Sequence, residues 1–170
     1  MSVKISVVIP SYRPDFSLYE CLASLERQTF AKNDFEVILV LNGEKEPYFS
    51  EIMKFLGSSG LHALLLYERE AGVSRARNIG IKHCTGDYVT FIDADDFVSE
   101  SYLQNLFDMT VSTECLILAN VLCYSDEMLT KDYLGIRFQK LRDGKKYGHI
   151  RTRSYFSVPI GKILPIGTEK

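Results

Sequence analysis

No stretch of this chain stays apolar over the roughly 18 residues that a membrane-spanning helix needs. The segment Met1–Tyr12 also lacks the long apolar centre and small-residue cleavage site of a secretory signal; it has one Lys and a short β-like run broken by Pro10. The four cysteines, Cys21, Cys84, Cys115 and Cys123, form no CxxC pair and join no histidine-rich cluster. That spacing speaks against a metal site or a disulfide framework and for reduced, partly buried thiols in a cytoplasmic protein. An excess of charge of one sign is missing too. Lys and Arg number 20 against 22 for Asp and Glu, a formal net charge of −2, which argues against bulk electrostatic capture of nucleic acid. There is no internal repeat and no low-complexity tract.

What is present is an ordinary globular composition. With 46% hydrophobic and 25% charged residues, a chain of 170 can bury a core as one domain or as part of a larger one. Lys4–Ile9 (KISVVI) is β-branched and stops at Pro10, as a buried strand does. Phe16–Gln28 reads as a helix with Leu18, Cys21, Leu22 and Leu25 on one face, and Ser17 and Glu20 have the spacing of a capping box at its start. Strands follow at Glu36–Leu41, Ala63–Tyr67, Tyr88–Ile92 and Cys115–Leu122, with helices at Tyr48–Leu56, Val73–His83 and Glu100–Met109. This alternation predicts βαβ units and a largely parallel sheet covered on both faces. Ligands then bind beyond the carboxyl ends of the strands, at the loops Pro10–Pro14, Asn42–Glu46, Glu68–Arg77 and Asp93–Phe97. After Asp126 the pattern degrades: Arg137–Arg153 holds seven Lys or Arg and one acid, Asp143, and Ser157–Lys170 is rich in Gly and Pro. The basic stretch, with Tyr147, Ile150, Tyr155 and Phe156 in and near it, suits either a membrane surface or anionic acceptor, or a solvated face.

The densest chemistry lies at Phe91-Ile92-Asp93-Ala94-Asp95-Asp96, where a strand delivers three carboxylates within four positions. From Gly86 to Asp108 there are six acids and no Lys or Arg. Carboxylates this close raise one another's pKa, and a divalent cation such as Mg²⁺ or Mn²⁺ relieves the repulsion. The alternative is a solvated turn in which Asp96 or Ser99 caps the next helix. A second feature, Ala71–Gly80, places Arg75 and Arg77 at the start of a helix, where backbone N–H groups favour anions. The alternative there is a solvated face pairing with Glu68 or Glu70.

Five stretches in order, Ile5–Tyr12 (ISVVIPSY), Cys21–Phe30 (CLASLERQTF), Glu36–Val40 (EVILV), Gly72–Gly80 (GVSRARNIG) and Gly86–Asp96 (GDYVTFIDADD), resemble the nucleotide-sugar half of family 2 glycosyltransferases, inverting enzymes of the GT-A fold. The likeness runs from about Val3 to Leu106. It implies an α/β fold of GT-A type, a Rossmann-like, mainly parallel sheet flanked by helices. The nucleotide-sugar-binding core would occupy residues 1–125, and 126–170 would be a partial acceptor-side region or a basic C-terminal tail.

The resemblance also implies roles. Pro10 and Tyr12 match the strand-end motif against the nucleoside base, and Arg77 matches the Arg of an A-R-N motif facing the nucleotide. Asp93 and Asp95 match the DxD motif, with Asp93 near ribose and metal and Asp95 on Mn²⁺ or Mg²⁺ at the diphosphate. Where the family commonly has Asp-Asp-Gly-Ser, this chain has Leu41-Asn42-Gly43-Glu44; Asn42 offers the nucleotide a donor and an acceptor instead of a carboxylate. The implied activity is metal-assisted, inverting transfer of a sugar from a nucleoside-diphosphate sugar, UDP-sugars first among them. The acceptor would be a saccharide or lipid-linked saccharide in cell-surface polysaccharide synthesis. The implied location is cytoplasmic, with peripheral contact at the inner membrane surface. The family's catalytic base lies in an acceptor-binding half, often in a Glu-Asp pair. No carboxylate after Asp143 fits that role, since Glu169 adjoins the terminus, so the catalytic residue stays unassigned.

Two other readings remain. One is a truncated or non-catalytic nucleotide-binding subunit acting with a partner transferase chain or as a homo-oligomer. The other is a sugar-nucleotide pyrophosphorylase, which needs a Gly-rich phosphate loop after the first strand; Ile9-Pro10-Ser11-Tyr12-Arg13 has no such glycines.

Overall fold

The computed structural model describes residues 3–110, together with four short strand segments at 117–118, 123–125, 128–130 and 162–165. The first part alternates strand and helix: β1 (Ile5–Ser11), α1 (Phe16–Glu26), β2 (Phe35–Asn42), α2 (Tyr48–Leu56), β3 (Ala63–Glu68), α3 (Val73–Lys82), β4 (Tyr88–Phe91) and α4 (Tyr102–Asp108). The later strands are β5 (Ile117–Leu118), β6 (Cys123–Ser125), β7 (Met128–Thr130) and β8 (Lys162–Pro165). The main sheet has the order β3-β2-β1-β4-β8-β5. Its first four strands are parallel, as expected; β8 then pairs antiparallel with β4 and with β5. The basic stretch 137–153 and most of Ser157–Lys170 and Cys115–Leu122 lie outside the described residues.

Every residue of β1 and β2 is buried, which explains their unbroken apolar runs. Side chains alternate between two cores. Ile5, Val7 and Ile9 of β1 and Val37, Leu39 and Leu41 of β2 pack under α1, α2 and α4. Val8, Ile38 and Val40 point the other way, against Ala76 and Ile79 of α3. The α1 stripe Leu18, Cys21, Leu22 and Leu25 is wholly buried, as the periodicity requires. Each leucine contributes roughly 1.5–3 kcal/mol by leaving water.

Three local details differ from the sequence reading. Asp15, not Ser17, caps α1: its carboxylate accepts from the Ser17 N–H at 2.9 Å, so Ser17 is already inside the first turn and the Ser17–Glu20 box does not form. Strand β1 continues through Pro10, in register with Val40. Val8 turns its backbone edge to β4, where its carbonyl accepts from Ile92 N–H. Pro10, two residues on, turns the same edge to that side, but β4 has ended at Phe91, so the missing N–H removes no ladder bond. Strand β8 went unread because four residues carry too little periodicity.

Helix α3 lies close on the sheet because of Gly80. A Cβ there would run into Val8 Cγ1 and lie 3.2 Å from Val8 Cγ2. Alanine at position 80 would gain about 1 kcal/mol of helix propensity but meets a packed, β-branched neighbour, where overpacking costs about 1–3 kcal/mol. Gly80→Ala is therefore expected to lower stability in urea melts. Val8→Ala should cost less in the Gly80→Ala background than in the unaltered chain, because it removes the clashing methyls.

Candidate functional site

The chain winds from β1 outward to β2 and β3, then crosses back over α3 to place β4 on the other side of β1. The reversal leaves a crevice beyond the carboxyl ends of β1 and β4, where a doubly wound sheet takes its ligand. A cavity of about 330 Å³ lies there, within the size range of ligand pockets. Pro10 and Tyr12 form one side, Asp93 and Asp95 another, and Val73 and the Asp15 end of α1 complete it.

Tyr12 is 53% exposed, and its ring lies on the backbone of Gly43. A Cβ at Gly43 would come within 2.7 Å of Tyr12 Cε2, and Gly43 has φ +92°, so this turn after β2 requires glycine on two counts. Arg13 follows with φ +44°, in the left-handed region, which costs a non-glycine residue roughly 1–2 kcal/mol. Its guanidinium carbon sits 5.5 Å from the Tyr12 ring centroid, and its Nε is 3.6 Å from Glu44 Oε2. At α1, the Ser17 hydroxyl and then the Ser17 N–H hold the Asp15 carboxyl below its usual pKa.

The acidic residues form a tight turn closed by Asp96 N–H donating to the Asp93 carbonyl at 3.1 Å. The turn separates the three carboxylates. Asp93 is half-buried and accepts from Arg77 Nη2 at 2.5 Å. Sequence distance hid this: the cation that neutralises Asp93 stands 16 positions earlier, on α3. Asp95 is exposed at the crevice and has no ion pair among the described residues. Asp96 is only 4% exposed, and its Oδ2 has no hydrogen-bond partner among the described residues. Burial first, then the charges of Asp95 and Asp93, push its pKa up to about 8. Burial foremost, then the charges of Asp96, Asp95 and Asp93, push up the Cys21 thiol, which lies 3.8 Å from the Asp93 carbonyl.

The solvated-turn alternative thus fails at Asp96, which is interior. Neither Asp96 nor Ser99 caps α4 with its side chain; the Leu103 N–H is met by Gln28 Oε1 at 2.9 Å. The solvated-face alternative holds for Arg75, which pairs with Glu70 at 2.6 Å. Arg77 instead stands behind Asp93, its guanidinium carbon 5.9 Å from the Phe91 ring centroid and its buried Nε without a hydrogen-bond partner among the described residues. Asn42 is 2% exposed, and both ends of its amide bind backbone: Nδ2 donates to the Ser11 carbonyl at 2.7 Å and Oδ1 accepts from Gly72 N–H at 2.9 Å. It joins the end of β1 to the start of α3. The structure thus brings Pro10, Tyr12, Asp93 and Asp95 to one cavity, reaches Arg77 through Asp93, and sets Asn42 behind the wall. Sequence reasoning gave no role to Val73 or Asp15; Val73 stands in the Glu68–Arg77 loop, and Asp15 directly follows the Pro10–Pro14 loop.

A family model described as Glycosyl transferase family 2 matches residues 6–160. Glycosyltransferase GlyA of Streptococcus pneumoniae is 29% identical over 153 residues, 90% of this chain and 20% of that protein. The Staphylococcus aureus poly(ribitol-phosphate) beta-N-acetylglucosaminyltransferase TarS is 29% identical over 103 residues, 61% of this chain and 18% of that protein. The solved structure of TarS 1-349 in complex with UDP-GlcNAc superposes with a TM-score of 0.57 at 27% identity, covering 62% of this chain and 30% of that one. The Pyrobaculum calidifontis mannosyltransferase PcManGT, solved with GDP-Man and Mn²⁺, shares the fold with a TM-score of 0.62 at 22% identity, over 68% of this chain and 35% of that one. The chain spans about a fifth of the length of these two curated relatives.

The Asp96 environment has a testable consequence. The folded chain holds this proton up to about pH 8, whereas an unfolded carboxyl releases it near the ordinary value of 3.8. Between those values the folded state binds more protons than the unfolded one, so this residue makes stability fall as pH rises, by at most about 1.4 kcal/mol per pH unit. Asp96→Asn mimics the neutral acid. In thermal melts with a chelator present, its stability should decline less than that of the unaltered chain between about pH 5 and 8.

Proposed function

The chain belongs to glycosyl transferase family 2, and on that premise we propose that it forms the donor-binding part of an inverting glycosyltransferase that uses a nucleoside-diphosphate sugar. The observation that carries this reading is the meeting of Tyr12, Asp93 and Asp95 at one cavity on the switch-point rim. Tyr12, resting on Gly43 with Pro10 beside it, offers a face on which a nucleoside base stacks. Asp93, held by Arg77, is oriented to accept from ribose hydroxyls. Asp95 has no ion pair among the described residues and stands at the place where a diphosphate would lie.

The donor chemistry fits Mn²⁺ or Mg²⁺. Carboxylate oxygens suit such hard cations, which commonly take one or two carboxylates and complete their shell with water and substrate phosphates. Among the described residues no three His, Cys, Asp or Glu side chains form a self-sufficient cage, so the diphosphate would supply further ligands. Asp95 would hold the cation, with Asp93 beside it. When bound, the cation offsets the charge that gathers on the nucleoside diphosphate as the sugar–phosphate bond breaks. The chain's own residues bind and orient: Tyr12 fixes the base, the Arg77–Asp93 pair fixes the ribose side, and the unpartnered Asp95 keeps the diphosphate end negative until a cation arrives.

We assign UDP-sugars as the first donors to try, in keeping with the UDP-GlcNAc complex of TarS. The acceptor class is a saccharide or lipid-linked saccharide of cell-surface polysaccharide, supported by the TarS name, and the location is cytoplasmic. The catalytic base stays unassigned. The alternative, a nucleotide-binding subunit serving a partner transferase, uses the same site and differs only in whether this chain alone transfers sugar.

Calorimetric titration with UDP in the presence of Mn²⁺ should show binding that weakens at least about tenfold when the metal is chelated. Asp95→Ala should reduce Mn²⁺-supported binding to the chelated level while leaving the melting temperature nearly unchanged, because Asp95 is exposed. Binding equal with and without Mn²⁺, or unaltered in Asp95→Ala, would refute the assignment.

A further inference from the structure

Cys21–Phe30, one of the five stretches that carry the family resemblance, supplies no lining residue to the crevice, though its Cys21 thiol lies against the Asp93 carbonyl. It lies instead behind the acidic turn. Ser24 stands in the last turn of α1 and Gln28 just beyond its C-terminal end, and both are almost wholly buried, at 1% and 5% exposure. The Ser24 hydroxyl donates to the Cys21 carbonyl at 2.7 Å and accepts from the Val98 N–H at 3.1 Å. Gln28 Nε2 donates to the Ser99 carbonyl at 2.7 Å and to the Ser24 carbonyl at 3.1 Å, while its Oε1 accepts from Leu103 N–H. The Thr29 N–H and hydroxyl both donate to the Glu100 carbonyl, at 2.8 and 3.1 Å.

The segment from Val98 to Ser101 is neither helix nor strand, so its backbone groups need partners from elsewhere. Val98 N–H, Ser99 carbonyl, Glu100 carbonyl and Leu103 N–H all find them on residues 24–29. Upstream, the turn hangs from β4. Downstream, only Phe97 separates Asp96 from the first of these bonds. Helix α1 is itself fixed by Leu18, Leu22 and Leu25 in the core, so it can serve as a rigid mount.

Resting on the donor-site reading above, we propose that Ser24 and Gln28 are positioning residues for the cation-binding turn: they moor residues 98–103 to α1, so that Asp95 is presented to the crevice and Asp96 is kept behind it. Neither residue touches the nucleotide. Their effect falls on the metal-dependent part of binding, since the Tyr12 shelf is built by β1 and the Gly43 turn.

The test uses the whole chain and the variants Gln28→Ala and Ser24→Ala, each titrated with UDP with and without Mn²⁺ at a temperature where melts show it folded. Ser24→Ala keeps shape and helix propensity and supplies a folded case should Gln28→Ala be too unstable. Gln28→Ala is expected to weaken Mn²⁺-supported binding about fivefold or more, Ser24→Ala in the same direction, with metal-free affinity within about twofold in both. Amide exchange should quicken at Leu103 in the first variant and at Val98 in the second. Equal weakening with and without Mn²⁺, or unchanged Mn²⁺-supported binding, overturns the positioning role. Failure of the donor-site reading looks different: the unaltered chain then binds no UDP under either condition, and the positioning role falls with it.

Discussion

Three carboxylates on one turn repel one another, and the way the fold separates them governs the rest of the molecule. Asp93 receives a guanidinium from α3. Asp96 is driven into the interior, where burial favours its neutral form. Asp95 is left exposed at the crevice with no ion pair among the described residues. A single residue with unspent negative charge is more useful at a binding site than three competing ones, because the attraction has one direction. The separation depends on backbone more than on side-chain choice: the Asp96–Asp93 hydrogen bond folds the turn so that neighbours in sequence face different surroundings.

That turn is held from both layers. On one face of the sheet, Gly80 lets α3 approach Val8, and Arg77, one helical turn earlier, then reaches Asp93. On the other face, the end of α1 and the residues just after it grip the segment beyond Phe97 through Ser24, Gln28 and Thr29. Asn42 ties the end of β1 to the start of α3 across the top. At the opposite end of the sheet, the buried Glu36 carboxylate accepts from Ser6, Thr85 N–H and the Thr85 hydroxyl, fixing the turn that feeds β4. Polar side chains thus do at the two rims what apolar ones do between the layers.

Much of this was open to a reader of the sequence. The β-branched runs of β1 and β2 and the apolar stripe of α1 announced a parallel layered sheet, and Asp93 and Asp95 stood out as the end of an apolar strand. What stayed hidden depends on distance in space. No spacing rule joins Arg77 to Asp93 or Gln28 to Leu103. Ser17 and Glu20 have the letters of a cap, yet Asp15, two residues earlier, starts the helix first. Asn42 looked like a residue for the ligand because it stands where the resembling family commonly has an Asp, and only the fold shows both of its amide ends engaged by backbone. Pro10 looked like a terminator, since nothing in the sequence says that β4 is shorter than β1.

The unequal reach of those two strands carries a consequence of its own. Strand β1 runs on through Ile9, Pro10 and Ser11 after β4 has stopped opposite Val8, so the sheet ends in a step about 10 Å high. The height of that step, and with it the depth of the recess, is set by how the short strand is aligned against the long one. Sliding β4 by a single residue would turn its side chains to the opposite layers and carry the acidic turn away from the ledge. Chemical identity at positions 93 and 95 is therefore worth nothing without correct alignment four residues upstream, and an insertion or deletion in Tyr88–Phe91 would silence the recess as surely as losing the acids themselves.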